Sequence, residues 1–525
     1  MLTAFMQGVT VVSADNFNSF DQTCDNLSEL RNFTGGQVFQ VYVRGTDVAG
    51  DGGQGAFYWN STSTATDNNS TVIVPNGQTT GAWIRLSQDA ATLSQAETQL
   101  YAASVVGTPT APTVNSVQGQ VAIGSGAVSS GSGVNAIAIG TGYASGANSI
   151  AIQIGSASPA YGSQGTYSVV FGYQNLASNG STYSGIFSGS SNTIGNGASN
   201  SFIGGGTANS ISGSSTYSVI LGGNGNSLGP YDNASSIVGG TGNTIPGGAV
   251  NSIIAGGNLN EIENAATGSA ILGGTSNSIV GSAVASCVTG GSGNLLFSSY
   301  STLIGGSGNS ALYASAQGIT IIGGSNNIVA ANSSNATIVG GTGNSVSGTS
   351  TGSTIVGGSG NTINGAVNST ALGSGVVTSN SGQLSYANGY RSAAGDSQCS
   401  LYVYRGTTTS TSATQIYLDG SSAQLAVQSG QAISFRVQAV AHDTTTPANN
   451  ASLYSTVNGL VYNNGGGSLA LSGPTMGVTN LNSWTVGTGG VSFSSSGTNL
   501  VCNVTSPSSD TVHWVVSIWT VEVTA

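Results

Sequence analysis

Ser218-Val-Ile-Leu-Gly-Gly-Asn-Gly-Asn-Ser-Leu228 is the stretch that decides the fold, because the chain repeats it. Ser252-Ile-Ile-Ala-Gly-Gly-Asn-Leu-Asn-Glu-Ile262, Ser269-Ala-Ile-Leu-Gly-Gly-Thr-Ser-Asn-Ser-Ile279 and Ser353-Thr-Ile-Val-Gly-Gly-Ser-Gly-Asn-Thr-Ile363 share its pattern. The asparagines Asn175, Asn192, Asn209, Asn226, Asn243, Asn260, Asn277 and Asn294 follow one another at 17 residues, and the register resumes at Asn327, Asn344 and Asn361. A period of this size held over many units is the signature of a stacked repeat. Each unit reads as a short strand with an apolar pair, a Gly-Gly corner that permits positive φ, and a second short strand after the asparagine. Such units stack as coils of a parallel β-solenoid, one hydrogen-bonded to the next at about 4.8 Å.

Two columns follow from that stacking. Ile220, Ile237, Ile254, Ile271, Val288, Leu303, Ile321, Ile338 and Ile355 form a row inside the coil. Asn209, Asn226, Asn243, Asn260, Asn277, Asn344 and Asn361 form an internal ladder of amides bonded to neighbours above and below and to turn backbone. The next strand residue points the opposite way, and it is apolar too: Leu221, Val238, Leu272, Ile304, Ile322, Val339 and Val356. A second greasy face needs a partner. Nothing else in the chain repeats along the solenoid to cover it, so identical chains around a shared axis are expected, in a homotrimer.

The ends differ in composition. Val38–43, Ala56–59, 71–74 and 83–86 alternate as strands of a small β domain within residues 1–87, and residues 26–31 suggest a helical turn. Leu93, Ala96, Leu100 and Ala103 recur at three and four, a narrow helical stripe that suits a three-chain neck or linker over residues 88–116. The repeat shaft spans 117–397. Residues 398–525 carry longer alternating strands and turns, as in a β-sandwich. The fold class expected is therefore all-β: a trimeric parallel β-solenoid of about 17-residue repeats between a small N-terminal β domain and a C-terminal β-sandwich. About 16–17 coils give a shaft of roughly 80 Å.

Composition excludes several classes. The 525 residues include 83 glycines, and 4% are charged; 17 acids face six arginines and no lysine, for a net charge of −11. Scattered arginines cannot neutralise phosphates, so no nucleic-acid partner is expected. No apolar run is long enough to span a bilayer, and Met1–Met6 lacks the basic and apolar regions of a signal peptide, so no membrane insertion is expected. Cys24, Cys287, Cys399 and Cys502 have neither zinc-ribbon nor disulfide-framework spacing. No metal and no cofactor are expected.

Three segments resemble virion appendage proteins of bacteriophages. Val41-Tyr-Val-Arg-Gly-Thr-Asp-Val-Ala-Gly-Asp-Gly-Gly-Gln-Gly-Ala-Phe-Tyr-Trp59, with Thr80-Gly-Ala-Trp-Ile-Arg-Leu86, resembles the particle-proximal domain of phage tailspikes. Asn135-Ala-Ile-Ala-Ile-Gly-Thr-Gly-Tyr-Ala-Ser-Gly-Ala-Asn-Ser-Ile-Ala-Ile152 resembles the head repeat of trimeric autotransporter adhesins. Thr414-Gln-Ile-Tyr-Leu-Asp-Gly-Ser-Ser-Ala-Gln-Leu425 and the ending Val512-His-Trp-Val-Val-Ser-Ile-Trp-Thr-Val-Glu-Val523 resemble C-terminal domains of phage tail fibres. The resemblance implies a virion fibre, assembled in the host cytoplasm. Its N-terminal domain would dock on other virion proteins, and its C-terminal domain would contact a host surface glycan or protein. A polysaccharide-degrading tailspike and a head fibre or capsid decoration protein are the alternatives.

The residues suited to chemistry are few. Glycoside hydrolysis needs two carboxylates about 5–10 Å apart. Between residues 110 and 395 the only acids are Asp232, Glu261 and Glu263. Glu261 and Glu263 alternate on one strand and can share a face, where they read as charges that keep a greasy surface soluble. The expectation is a chain without a catalytic site, not an enzyme. His442 and His513 are the only histidines, and a metal ion would need further ligands; His442-Asp443 opens a Thr-rich loop, the one place where the sequence offers a metal or trimer-axis ion a start. Trp514 alternates with Val512 and Val516 and reads as core. Trp484, beside Asn480 and Asn482, is the candidate for stacking on a sugar.

Overall fold

The computed structural model describes residues 22–33, 40–48, 54–70, 72–85, 113–114, 119–124, 126–129, 134–154, 160–330, 332–445, 451–481 and 489–525. The chain divides into two compact units, Met1–Ala96 and Glu97–Ala525. The helical stripe at 93–103 and Trp484 lie outside the described residues.

In the first unit the strands lie in the order Gln22–Cys24, Gln40–Val43, Gly55–Asn60, Ala82–Arg85, Val72–Ile73. The first pair is parallel and the others are antiparallel. The one-turn helix Leu27–Leu30 starts where Asn26 Oδ1 accepts from the Glu29 amide at 2.9 Å, while Glu29 Oε2 accepts from the Asp25 amide at 2.6 Å. That reciprocal cap fixes a helix too short to hold itself. Leu27, Leu30, Val41, Val43, Phe57, Ile73 and Trp83 form the core. Burial opposes ionisation of Asp67, but the Val74 and Asn69 amides and Arg31 donate to it and hold its pKa below the usual range.

The second unit begins as the solenoid. Two parallel ladders run through it, one strand from each in every coil; Ile220 pairs with Ile237 in the first and Leu228 with Ile245 in the second. Among the described residues each ladder has 17 strands, from Val121–Ile123 to Leu384–Asn388 and from Thr113–Val114 to Val377–Thr378. A third column of single bridges links Tyr173, Ser190, Thr207, Asn224 and onward to Ser359. At about 4.8 Å per step the stack extends for roughly 80 Å.

Each coil turns the same few side chains inward. In one coil these are Ser218, Ile220, Asn226, Leu228 and Asp232, all fully buried. The isoleucine and leucine rows stack into one continuous apolar core along the solenoid. The second glycine of the Gly-Gly corner is obligatory. Gly223 sits at φ +96, and a Cβ there would meet the Gly240 carbonyl oxygen at 2.2 Å and Asn226 Nδ2 at 2.5 Å. Corner and ladder therefore depend on each other.

The first ladder runs on without a break. Leu384–Asn388 pairs antiparallel with Ser397–Thr408, which is followed across the sheet by Val512–Thr524, Gln431–Asp443, Ser452–Asn463 and Leu469–Leu481. Asp396 pins the connecting turn by accepting from the Ala393, Arg391 and Ser392 amides, which hold its carboxyl far below the usual range. A smaller sheet of Thr414–Ile416, Leu425–Ala426, Gly490–Ser496 and Asn499–Thr505 covers one face. Tyr404, Val437 and Trp514 from the large sheet pack with Leu500, Cys502 and Val504 from the small one. Trp514 donates to Thr408 Oγ1 at 3.0 Å.

Candidate functional site

The repeating unit places its polar side chains in ordered columns. Asn226 Oδ1 accepts from the backbone N–H of Asn243 at 3.0 Å. Its Nδ2 donates to the Gly222 carbonyl at 2.9 Å and to the Gly240 carbonyl in the next coil at 3.1 Å. Asn209, Asn243, Asn260, Asn277, Asn344 and Asn361 repeat this arrangement, each fully buried. Each asparagine thus both accepts from and donates to the backbone of the next coil. A second ladder is made by serine: Ser252 Oγ donates to the Ala266 carbonyl at 3.1 Å and accepts from the Ser269 amide at 3.2 Å. Ser201, Ser218, Ser235, Ser269 and Ser286 do the same or nearly so. These columns are structural, because their polar atoms are spent on neighbouring coils.

The outer surface is where a partner can act. Leu221, Val238, Leu272, Ile304, Ile322, Val339 and Val356 project outward in one row, each exposed, with Leu221 and Leu272 at 51%. On the outer face of the large C-terminal sheet Val403, Val440, Leu460, Val515, Trp519 and Val521 are exposed as well.

A different edge carries aromatic rings. The bend from the second ladder back to the first contains a left-handed residue in coil after coil, stacked by backbone hydrogen bonds such as Tyr217 N to Ser199 O and Tyr300 N to Val284 O. Most positions in this column are Asn, Gly or Ala, but Tyr167, Tyr183, Tyr217 and Tyr300 also occupy it, at φ +56 to +58. Tyr231, at φ +66, lies in a neighbouring left-handed column of the same bend. A bulky residue pays for this conformation with strain of order 1–3 kcal/mol that Asn or Gly largely avoids. All five rings are exposed, Tyr217 by 66%, and Tyr167 stacks on Tyr183 with centroids 4.8 Å apart and planes 3° apart. Rings held outward on a rigid edge offer flat apolar faces with hydroxyl tips, the combination that stacks on sugar rings.

Two acids flank the same bend. Glu261 opens a second-ladder strand and Glu263 follows it, with Ile262 buried between them, so both side chains turn to the outer surface. Burial, and then the charge of Glu263, raises the Glu261 pKa above its usual value. Elsewhere, a cavity of about 190 Å³ where the last coil meets the sandwich is lined by Gln398, Tyr402, Gln431 and Glu522. Glu522 is saturated there. It accepts from Gln398 and Gln431 at 2.9 and 3.1 Å and from Thr520 and Tyr402 at 2.6 and 3.3 Å. Among the described residues no three His, Cys, Asp or Glu side chains gather as a metal site.

Comparison with known proteins adds three findings. Residues 23–88 match the family described as the phage tail protein small four-stranded beta-sheet domain, so the N-terminal unit contains a phage-tail-type domain. No curated protein matches the chain. Among solved structures, the tailspike protein gp49 of Acinetobacter baumannii bacteriophage Fri1, described as a capsular polysaccharide depolymerase, aligns at 12% identity over 95% of this chain and 98% of its own, with a TM-score of 0.20. The tailspike of Acinetobacter baumannii phage AM24 aligns at 10% identity over 95% and 93%, with a TM-score of 0.17. These low scores do not superpose the chains as one fold. The expectation that the chain is not an enzyme is nevertheless corrected: proteins it aligns with along nearly its full length include one described as a depolymerase. The scarcity of acids was too weak a ground for that exclusion, because Glu261 and Glu263 do share an outward face.

Proposed function

We propose that the chain is a phage tail appendage that attaches the particle to the host by holding a surface glycan along the tyrosine edge of its solenoid. The phage-tail domain at 23–88 supports its place on the virion, where other tail proteins would hold it. The observation that carries glycan recognition is the set of exposed tyrosines at strained left-handed corners. Stability alone favours Asn or Gly there. The outward row from Leu221 to Val356 is the contact between copies in a homotrimer; covering one such residue is worth roughly 1–2 kcal/mol per coil, repeated along the shaft and in three chains. Three copies also present the edge three times, which raises avidity without new contacts.

Immunogold electron microscopy of particles with antibody to the purified chain tests the placement. Label at the tail is expected, and label over the capsid would make the chain a head fibre.

The second reading is glycan cleavage, favoured by Glu261 and Glu263. Two carboxylates on one outward face are the minimal set for glycoside hydrolysis, and the raised pKa of Glu261 suits it to donate a proton. Reducing ends released from host capsule, and lost in Glu261→Gln, are the expected result on this reading. Release unchanged in Glu261→Gln would place the chemistry elsewhere.

A further inference from the structure

We propose that His442 and His513 form a binding site for a divalent transition-metal ion on the outer face of the C-terminal sheet. They are the only two histidines in 525 residues, and they are 71 positions apart in sequence. The antiparallel pairing of Gln431–Asp443 with Val512–Thr524 sets them directly opposite each other. Directly opposed residues in such a pair lie on the same face with Cβ atoms about 4.5–5.5 Å apart. Both side chains are exposed.

The surroundings favour a nitrogen ligand. His442 Nδ1 lies 3.1 Å from Ser452 Oγ, and when Nδ1 donates its proton to that hydroxyl, Nε2 keeps its lone pair turned outward. Metal-bound histidines are commonly oriented by such a bond from the other ring nitrogen. The row continues with Thr407 beyond His513 and Ser452 beyond His442, so hydroxyls rather than cations flank the pair. Asp443 points to the opposite, buried side and accepts from the Thr445 amide, so no carboxylate joins the pair. Two imidazoles without carboxylate suit zinc, nickel or copper rather than calcium or magnesium. The chain supplies two nitrogens; water or the same pair on another copy fills the remaining positions.

Nickel binding by the full chain, measured by calorimetry at pH 7.5, tests the site. Cys399 is replaced by serine in every protein, because its exposed thiol lies on the same sheet face. The parent is expected to bind Ni²⁺ at least tenfold more tightly than His442→Gln or His513→Gln, with each single variant as weak as the double. Both side chains are exposed, so the variants should unfold at the parent's temperature in chelator, which separates lost binding from lost structure. Either single variant binding as tightly as the parent, or a parent no tighter than the double variant, would overturn the proposal.

Discussion

At the scale of single residues, the buried polar groups decide how tolerant the solenoid is. Asn260 satisfies the Asn277 amide and the carbonyls of Gly256 and Gly274. Asn260→Ala orphans those groups at about 1–3 kcal/mol each before relaxation, so a marked fall in unfolding temperature is expected; an unchanged value would show that water replaces the amide. Asp232 is the opposite case. It sits inside the coil in a column that carries Ser215 below it and Ala249 above it, and its Oδ1 accepts from the Ala249 amide at 3.0 Å while Oδ2 has no partner. Burial raises its pKa from 3.8 to about 6. Ionisation is therefore disfavoured in the folded chain: the favourable contribution is full below pH 3.8 and is lost as pH rises through 6. Asp232→Asn keeps the acceptor and removes the charge, so it should raise stability at pH 8 by on the order of 2–3 kcal/mol and by little at pH 4. A gain independent of pH would contradict this reading.

At the scale of elements, the coil was legible because its signals are redundant. Strand, Gly-Gly corner and asparagine all keep one period, and Ile220 and Leu221 show the inward and outward faces in adjacent letters. The serine ladder was not legible in a chain where serine is abundant, since only the contact of Ser252 with Ala266 separates a ladder serine from a loop serine. The tyrosine edge was hidden for another reason: Tyr183 and Tyr217 keep the 17-residue register, but Tyr167 and Tyr300 join their column only after the shorter and longer coils are aligned. The pairing of His442 with His513 needs the tertiary sheet, which links strands far apart in sequence. The exposed rings carry an unusual expectation. Tyr217→Asn should leave the unfolding temperature unchanged or raised, because Asn accepts φ +58 more readily, while glycan binding falls. A clear loss of stability in this variant would show that the ring supports the coil.

At the scale of the whole molecule, the two surfaces have different tasks. The row through Leu272 lies on the strand face, and the tyrosines lie on the preceding bend, so one can join copies while the other stays open to a ligand. Leu272→Asp should disrupt assembly about as badly as Ile271→Asp disrupts the coil core, read by sedimentation equilibrium against the 51.4 kDa of one chain. A folded 51.4 kDa wild type would show that the outward row needs no partner. Glycan recognition along the solenoid edge is tested most directly by the binding of purified chain to a panel of bacterial surface polysaccharides. Wild type should be compared with a variant carrying Tyr217→Asn, Tyr231→Asn and Tyr300→Asn. Each stacked ring is worth about 0.5–1.5 kcal/mol, so the triple variant should bind its polysaccharide roughly ten- to a thousandfold more weakly at undiminished stability. Equal binding by the two proteins would contradict it.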